Sequence, residues 1–189
     1  MEKVMTGKMP ANPFPAVIVG AMVDGKPNYL TLGCFGLMSI AKPTVSIMSG
    51  QGHYTNQGIR ESGCFSVNVP SRRLVAETDY VGLVSGEKVD KSGVFSSFFG
   101  QAGNAPMIEE CPVNLLCKVI KTDELPNVPG HEIFYGEVLE VYVSKDCFTD
   151  GQPDLKKINP LLLGGGCYWD IGSPVGVAWK EGISLKKNK

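Results

Sequence analysis

The stretch that most constrains how this chain can fold runs from Asp24 to Met48, DGKPNYLTLGCFGLMSIAKPTVSIM. It opens on Asp24-Gly25-Lys26-Pro27, a turn signal, because glycine takes positive φ without steric cost and proline fixes φ. Before it, Val17 to Met22 (VIVGAM) is a nearly continuous apolar run, as in a strand buried on both faces. After it, Asn28 to Phe35 is β-friendly, so the two runs should pair as an antiparallel hairpin. The second run then turns small at Gly33, Cys34, Gly36 and Ser39, which lets backbone groups come close to a flat ligand. A Gly/Ser-rich linker is expected to end at Pro43, followed by a short strand from Thr44 to Met48.

Downstream, Ser49 to Gly52 reads as a flexible loop. A short helix is expected from Tyr54 to Ser62, with His53 or Thr55 near its N-cap and a glycine, Gly63, closing it. Gly58 weakens that helix by about 1 kcal/mol. Cys64 to Val69 alternates, with Phe65, Val67 and Val69 on one side and Ser66 and Asn68 on the other, which predicts a half-buried strand. A second helix is expected over Leu74 to Leu83, then loop to Phe99 and an irregular segment from Ala102 to Pro112. Val113 to Lys121 and His131 to Val143 read as strands, the latter with Gly136 marking a bulge or a close backbone approach. Many short strands with two short helices predict a closed or nearly closed antiparallel barrel, mainly β, as a single domain over residues 1–189.

Composition removes several function classes. A net charge of −1 gives no basic face for nucleic acid. No segment approaches the roughly 18 unbroken apolar residues of a membrane span. The start, Met1 to Pro15, lacks the apolar core of a secretory signal, so a cytoplasmic, reducing environment is expected. Six cysteines without a C-x-x-C pair, and two histidines remote from them in sequence, predict neither a metal site nor a disulfide framework but buried free thiols.

Four segments, in order, resemble one family. They are Asn28-x-x-Thr31 with the small-residue turn and the later Pro43; Tyr54-Thr55-x-x-x-Ile59 followed by Phe65-x-Val67-Asn68-Val69; Ser85-Gly86-x-x-x-Asp90-Lys91; and Gly130-His131-x-x-x-x-Gly136-x-Val138. Together, from about Phe14 to Trp169, they resemble the flavin reductase-like proteins with an FMN-binding split barrel, most of all the flavoredoxin branch. The resemblance implies an antiparallel, Greek-key-like split β-barrel that holds FMN non-covalently in a homodimer, near the subunit interface. It implies that Asn28 and Thr31 lie beside the flavin, and that Gly33, Cys34, Phe35 and Gly36 present backbone to its ring. Thr55, with Tyr54 and His53, would hold the phosphate at a helix N-terminus, where free N–H groups suit an anion. Lys91 would supply the cation, His131 would sit over the flavin edge as the one candidate for a catalytic role, and Tyr168 would reach the flavin from the tail. Each has a plainer reading: Thr55 as a cap, Lys91 as a solvated loop charge, His131 as a surface histidine.

The function implied is redox chemistry through FMN, with the protein setting orientation and potential. The electron donor would be NAD(P)H, in a flavin reductase, or a redox protein, in an electron carrier. No G-x-G-x-x-G fingerprint is present, which does not exclude nicotinamide in such a family. The alternative is a non-catalytic FMN- or ligand-binding protein for storage or sensing.

Overall fold

The computed structural model describes residues 2–5 and 12–188. Seven strands form one antiparallel sheet: β1 (Val17–Val23), β2 (Lys26–Leu32), β3 (Phe35–Ser39), β4 (Thr44–Gly50), β5 (Cys64–Val69), β6 (Val113–Asp123) and β7 (His131–Val143). Their spatial order is β2-β1-β5-β6-β7-β4-β3. The two ends of that order, β2 and β3, are joined by Gly33 and Cys34, and the Met48 amide donates to the Cys34 carbonyl at 3.0 Å. The sheet therefore curls into a barrel with a seam where β2 and β4 part. After β4 the chain leaves through a helix, α1 (Tyr54–Ser62), and re-enters as β5 beside β1, a Greek-key-like path.

The hairpin forms where expected. Val23 pairs with Lys26, and Asp24 and Gly25 take φ of 49° and 75°, the two positive values of a type I′ turn. The barrel interior draws on six strands and α1: Val17, Val19, Leu30, Leu32, Val45, Ile47, Ile59, Phe65, Val67, Cys117 and Phe134 are all buried there. Ile59 brings α1 into that core. Gly58 is what lets the helix lie on β1, since a Cβ there would meet the Met22 carbonyl at 2.0 Å. Gly136 serves a similar approach, against the Phe65 ring, next to a register shift between β7 and β6. Gly63 closes α1 in the left-handed conformation, and an ion pair from Arg60 to Glu132 ties the helix to β7.

Three expectations need correction. The supposed linker before Pro43 is a strand: β3 spans Phe35–Ser39 and pairs with β4 through Phe35–Ile47 and Leu37–Val45, a tertiary pairing that small residues do not announce. β5 is not half-buried, because Ser66 and Asn68 are both fully buried. A short strand pair lies across that outer face, Ser97–Phe98 from the stretch expected as loop and Met107–Ile108 from the segment expected to be irregular. The cysteines are all free, but Cys34 and Cys167 are exposed and Cys64 is partly so. Their positions at a strand junction and in an edge hairpin leave them uncovered.

A second helix, α2 (Val75–Leu83), packs on β2 after a short 3-10 turn at Arg72–Leu74. Near the C-terminus, Leu162–Gly164 and Cys167–Trp169 form a small hairpin that pairs with Phe14–Pro15. Among the described residues no helix is long and apolar enough to cross a membrane.

Candidate functional site

The polar end of the seam is built by the start of α1, the middle of β2 and the loop after α2. His53 is the N-cap residue of α1, yet no side chain caps the helix. Its ring turns back instead, with Nδ1 2.8 Å from the Ser49 hydroxyl. The backbone amides of Tyr54 and Thr55 have no hydrogen-bond partner among the described residues. Unpaired first-turn amides carry the positive end of the helix dipole.

Thr55 is therefore not the cap. It is buried one step into the helix, and its hydroxyl accepts from Asn28 Nδ2 at 2.7 Å. That contact pins α1 to β2. Gly86 allows it from the other side, because a Cβ at Gly86 would fall 2.1 Å from Asn28 Oδ1 and 2.8 Å from the Tyr54 ring. Tyr54 reaches outward, donating from its hydroxyl to Asp24 at 2.5 Å, which raises its pKa.

Lys91 is the decisive residue. It is only 3% exposed, and its ammonium donates to two main-chain carbonyls, Tyr29 at 2.9 Å and Val81 at 2.8 Å. No carboxylate among the described residues pairs with it. Its neighbour Asp90 is committed to Lys26 at 2.7 Å and to the Ser92 amide. Burial pushes the Lys91 ammonium down to about 8. An ammonium has three donors, so one remains. Burial, with Lys91 and His131 nearby, also holds His53 below its ordinary value. A cavity of about 180 Å³ opens here, lined by Leu30, His53, Thr55, Gly86 and Lys91 among others.

The apolar end of the seam lies at the junction of β2 and β3. A groove of about 310 Å³ is lined there by Gly33, Cys34, Phe35, Gly36, Met48 and Ile133, among others. Phe35 is half-buried and packs against the barrel core. His131 stands exposed at the start of β7, opposite Gly50, and lines neither cavity.

The expected residues thus fall into two groups along one seam: Asn28, His53, Tyr54, Thr55 and Lys91 at the polar end, and Gly33, Cys34, Phe35 and Gly36 at the apolar end. Two more fall elsewhere. Thr31 donates its hydroxyl to the Thr78 carbonyl of α2, and Tyr168 donates to Asp79 of α2 at 3.2 Å. Neither lines either cavity. Sequence reasoning gave no role to Ser49, Gly86 or the Gly82–Ser85 loop. The Ser85-Gly86 motif was visible, but its meaning comes from two contacts across the fold. A larger cavity of about 620 Å³ lies apart from all of these, between Arg72 and Lys157.

The model of the flavin reductase like domain matches residues 9–169. The chain belongs to that family. Flavoredoxin from Methanosarcina acetivorans is 42% identical and superposes with a TM-score of 0.91, covering 98% of this chain and all of that one. Flavoredoxin of Desulfovibrio vulgaris (Miyazaki F) is 29% identical, TM-score 0.87, covering 96% of this chain and all of that one. An uncharacterised protein of Archaeoglobus fulgidus is 33% identical over 69% of this chain and 72% of its own length. The fold is the split barrel of the flavin reductase-like proteins.

Proposed function

We propose that this chain is a flavoredoxin-like redox protein that holds FMN non-covalently along the seam between β2 and β4. Family membership and the likeness to two flavoredoxins support a flavin-binding redox function. The observation that carries FMN in particular is Lys91: a buried ammonium with no carboxylate and one donor in reserve, beside the unpaired amides of Tyr54 and Thr55. Such a donor set is costly unless an anion completes it. A phosphate does so, and it distinguishes FMN from riboflavin.

The residues present fit the cofactor. Lys91 and the start of α1 would hold the phosphate, with Asn28 fixing Thr55 in place. The apolar groove at Gly33–Gly36 would receive the ring. When bound, the flavin supplies the electron-accepting chemistry. The chain supplies binding, a dry barrel wall from Leu30 and Ile47, and a cation whose field favours negative charge. Electrons would arrive as hydride from NAD(P)H or from a redox protein. The working unit would be a homodimer, which closes the open seam.

The test compares two flavins. A charge-assisted hydrogen bond is worth roughly 1.5–3 kcal/mol, so Lys91→Ala should weaken FMN by about tenfold to a hundredfold. Riboflavin should bind the wild type much more weakly and barely sense the substitution. Flavin fluorescence titrations read both. Equal weakening of the two flavins would move Lys91 to a structural role. Anaerobic addition of NADH and NADPH to the yellow protein then separates a reductase, which bleaches, from a carrier, which waits for a protein donor. A yellow protein that no donor reduces would favour storage or sensing.

A further inference from the structure

Most of the described residues of the C-terminal arm beyond Asp170 are exposed. Val175 and Trp179 are fully exposed, Trp179 at 96%, and Val177, Ile183 and Leu185 are largely so. The Val177 amide bonds to Glu181 within the arm itself. The arm's root is not remote, however. Trp169 belongs to the small hairpin whose partner strand holds Phe14, and Phe14 lines the apolar groove at Gly33–Gly36. Along the same groove runs the edge strand β3, with Leu37 and Met38 more than half exposed and Ile40 just beyond at 81%.

The surface area states how much cover is missing. A compact monomer of 20.3 kDa exposes about 8,800 Å², whereas this chain exposes 11925 Å². The excess, about 3,000 Å², is more than the roughly 1,000–2,500 Å² that one partner usually contributes to an obligate dimer, so it leaves room for one. An arm folding back on its own groove would cover that groove but leave the β3 edge bare. A second copy covers both, since a two-fold contact uses each surface twice.

We infer that the arm from Ile171 onward is exchanged: it lies across the Gly33–Gly36 groove of a second copy, with Trp179 as its anchor, and each groove is complete only when the partner's arm is in place. Buried tryptophans are the usual anchors of such contacts. The inference rests on the two-copy reading above but not on the flavin, so it is tested on flavin-free protein.

Cys34 lines the groove and is exposed in the single chain, so its alkylation, followed by mass spectrometry, reports cover. Full-length protein should sediment as a dimer with Cys34 labelling slowly. Deleting residues 171–189 should weaken the dimer by about thirtyfold or more, the loss of at least one anchor, and speed Cys34 labelling by about tenfold or more, since reactivity follows exposure. A second variant, Leu37→Asp with Met38→Asp, keeps its arm but spoils the receiving edge. Mixed with the deleted chain, it should restore slow labelling of Cys34 on the deleted chain only. A full-length monomer would overturn the two-copy reading itself. A dimer whose Cys34 labelling ignores the deletion, or a mixture without rescue, would overturn the exchange alone. Slow labelling in a monomer would show the arm closing on its own chain, which also overturns it.

Discussion

Two clusters of buried polar side chains sit on the same barrel, and they differ in one respect. On the outer face of β5, Asn68 donates to the Ile18 carbonyl at 2.9 Å and to Ser66 at 3.0 Å, and accepts from the Ile108 amide at 3.0 Å and Asn114 at 2.8 Å. Asn114 also donates to the Ile108 carbonyl, and Ser66 to the Pro106 carbonyl. All four sites of the Asn68 amide are filled. At the seam, by contrast, Asn28 and Thr55 share one bond, Lys91 keeps a donor in reserve, and the side-chain oxygen Oδ1 of Asn56 is buried with no partner among the described residues. A cavity adjoins the second cluster. Burial of polar groups thus does not mark a site. Unused hydrogen-bonding capacity next to open space does.

The largest expected effect falls on the closed cluster. Asn68→Leu would strand the Ile18 carbonyl, the Ile108 amide and the Asn114 side chain, each at a cost of about 1–3 kcal/mol. A total loss of about 3–5 kcal/mol is expected, among the larger effects of single substitutions. Urea unfolding measures it. The fraction that stays folded should bind FMN with unchanged affinity, as Asn68 faces away from the seam. A tenfold loss of affinity in folded protein would mean that the two clusters are coupled.

An intermediate effect comes from pH at the open cluster. Lys91 titrates near 8 in the folded chain, below its ordinary value of 10.5. Between those values the unfolded state binds more protons, so stability should rise with pH across that window. FMN affinity should move the other way. The phosphate stays a dianion well above its second pKa of about 6, while the ammonium is lost above about 8. Affinity should then fall by up to about tenfold per pH unit, the limit for one linked proton. Riboflavin, and the Lys91→Ala variant, should show flat profiles. Parallel FMN profiles for wild type and variant would remove the ammonium from the site.

The contrast also shows what a sequence can reveal. The Asp24-Gly25 turn and the α1 boundaries were legible because their causes are local: two positive φ values and a left-handed Gly63. β3 was not, since Gly36 and Ser39 become a strand only by pairing with β4. Neither was the outer face of β5, whose cover has no periodicity to read. Asn28, Thr55 and Lys91 could be named from spaced motifs, but the burial of Lys91 could not. Its partners are carbonyls on β2 and α2, which any side chain at positions 29 and 81 would supply. Thr31 and Tyr168 lie outside both cavities for a related reason. Helix α2 packs on the outer face of β2 and takes both hydroxyls.

The smallest effect sharpens the comparison most. Thr55→Val keeps the volume of a residue that is 2% exposed and removes only its hydroxyl. Asn28 Nδ2 then loses its acceptor, as buried as the donors around Asn68. If the seam is open, water or a ligand oxygen can replace that acceptor at little cost. The stability loss should then stay near 1 kcal/mol, the ordinary value of a single hydrogen bond. FMN affinity should fall by about fivefold, less than for Lys91→Ala, because a neutral hydroxyl is lost rather than a charge. Calorimetry with and without FMN reads both numbers on one sample. A loss of stability as large as that of Asn68→Leu would mean that the seam is sealed like the outer face, and the cavity beside Lys91 would no longer stand as a place for a phosphate.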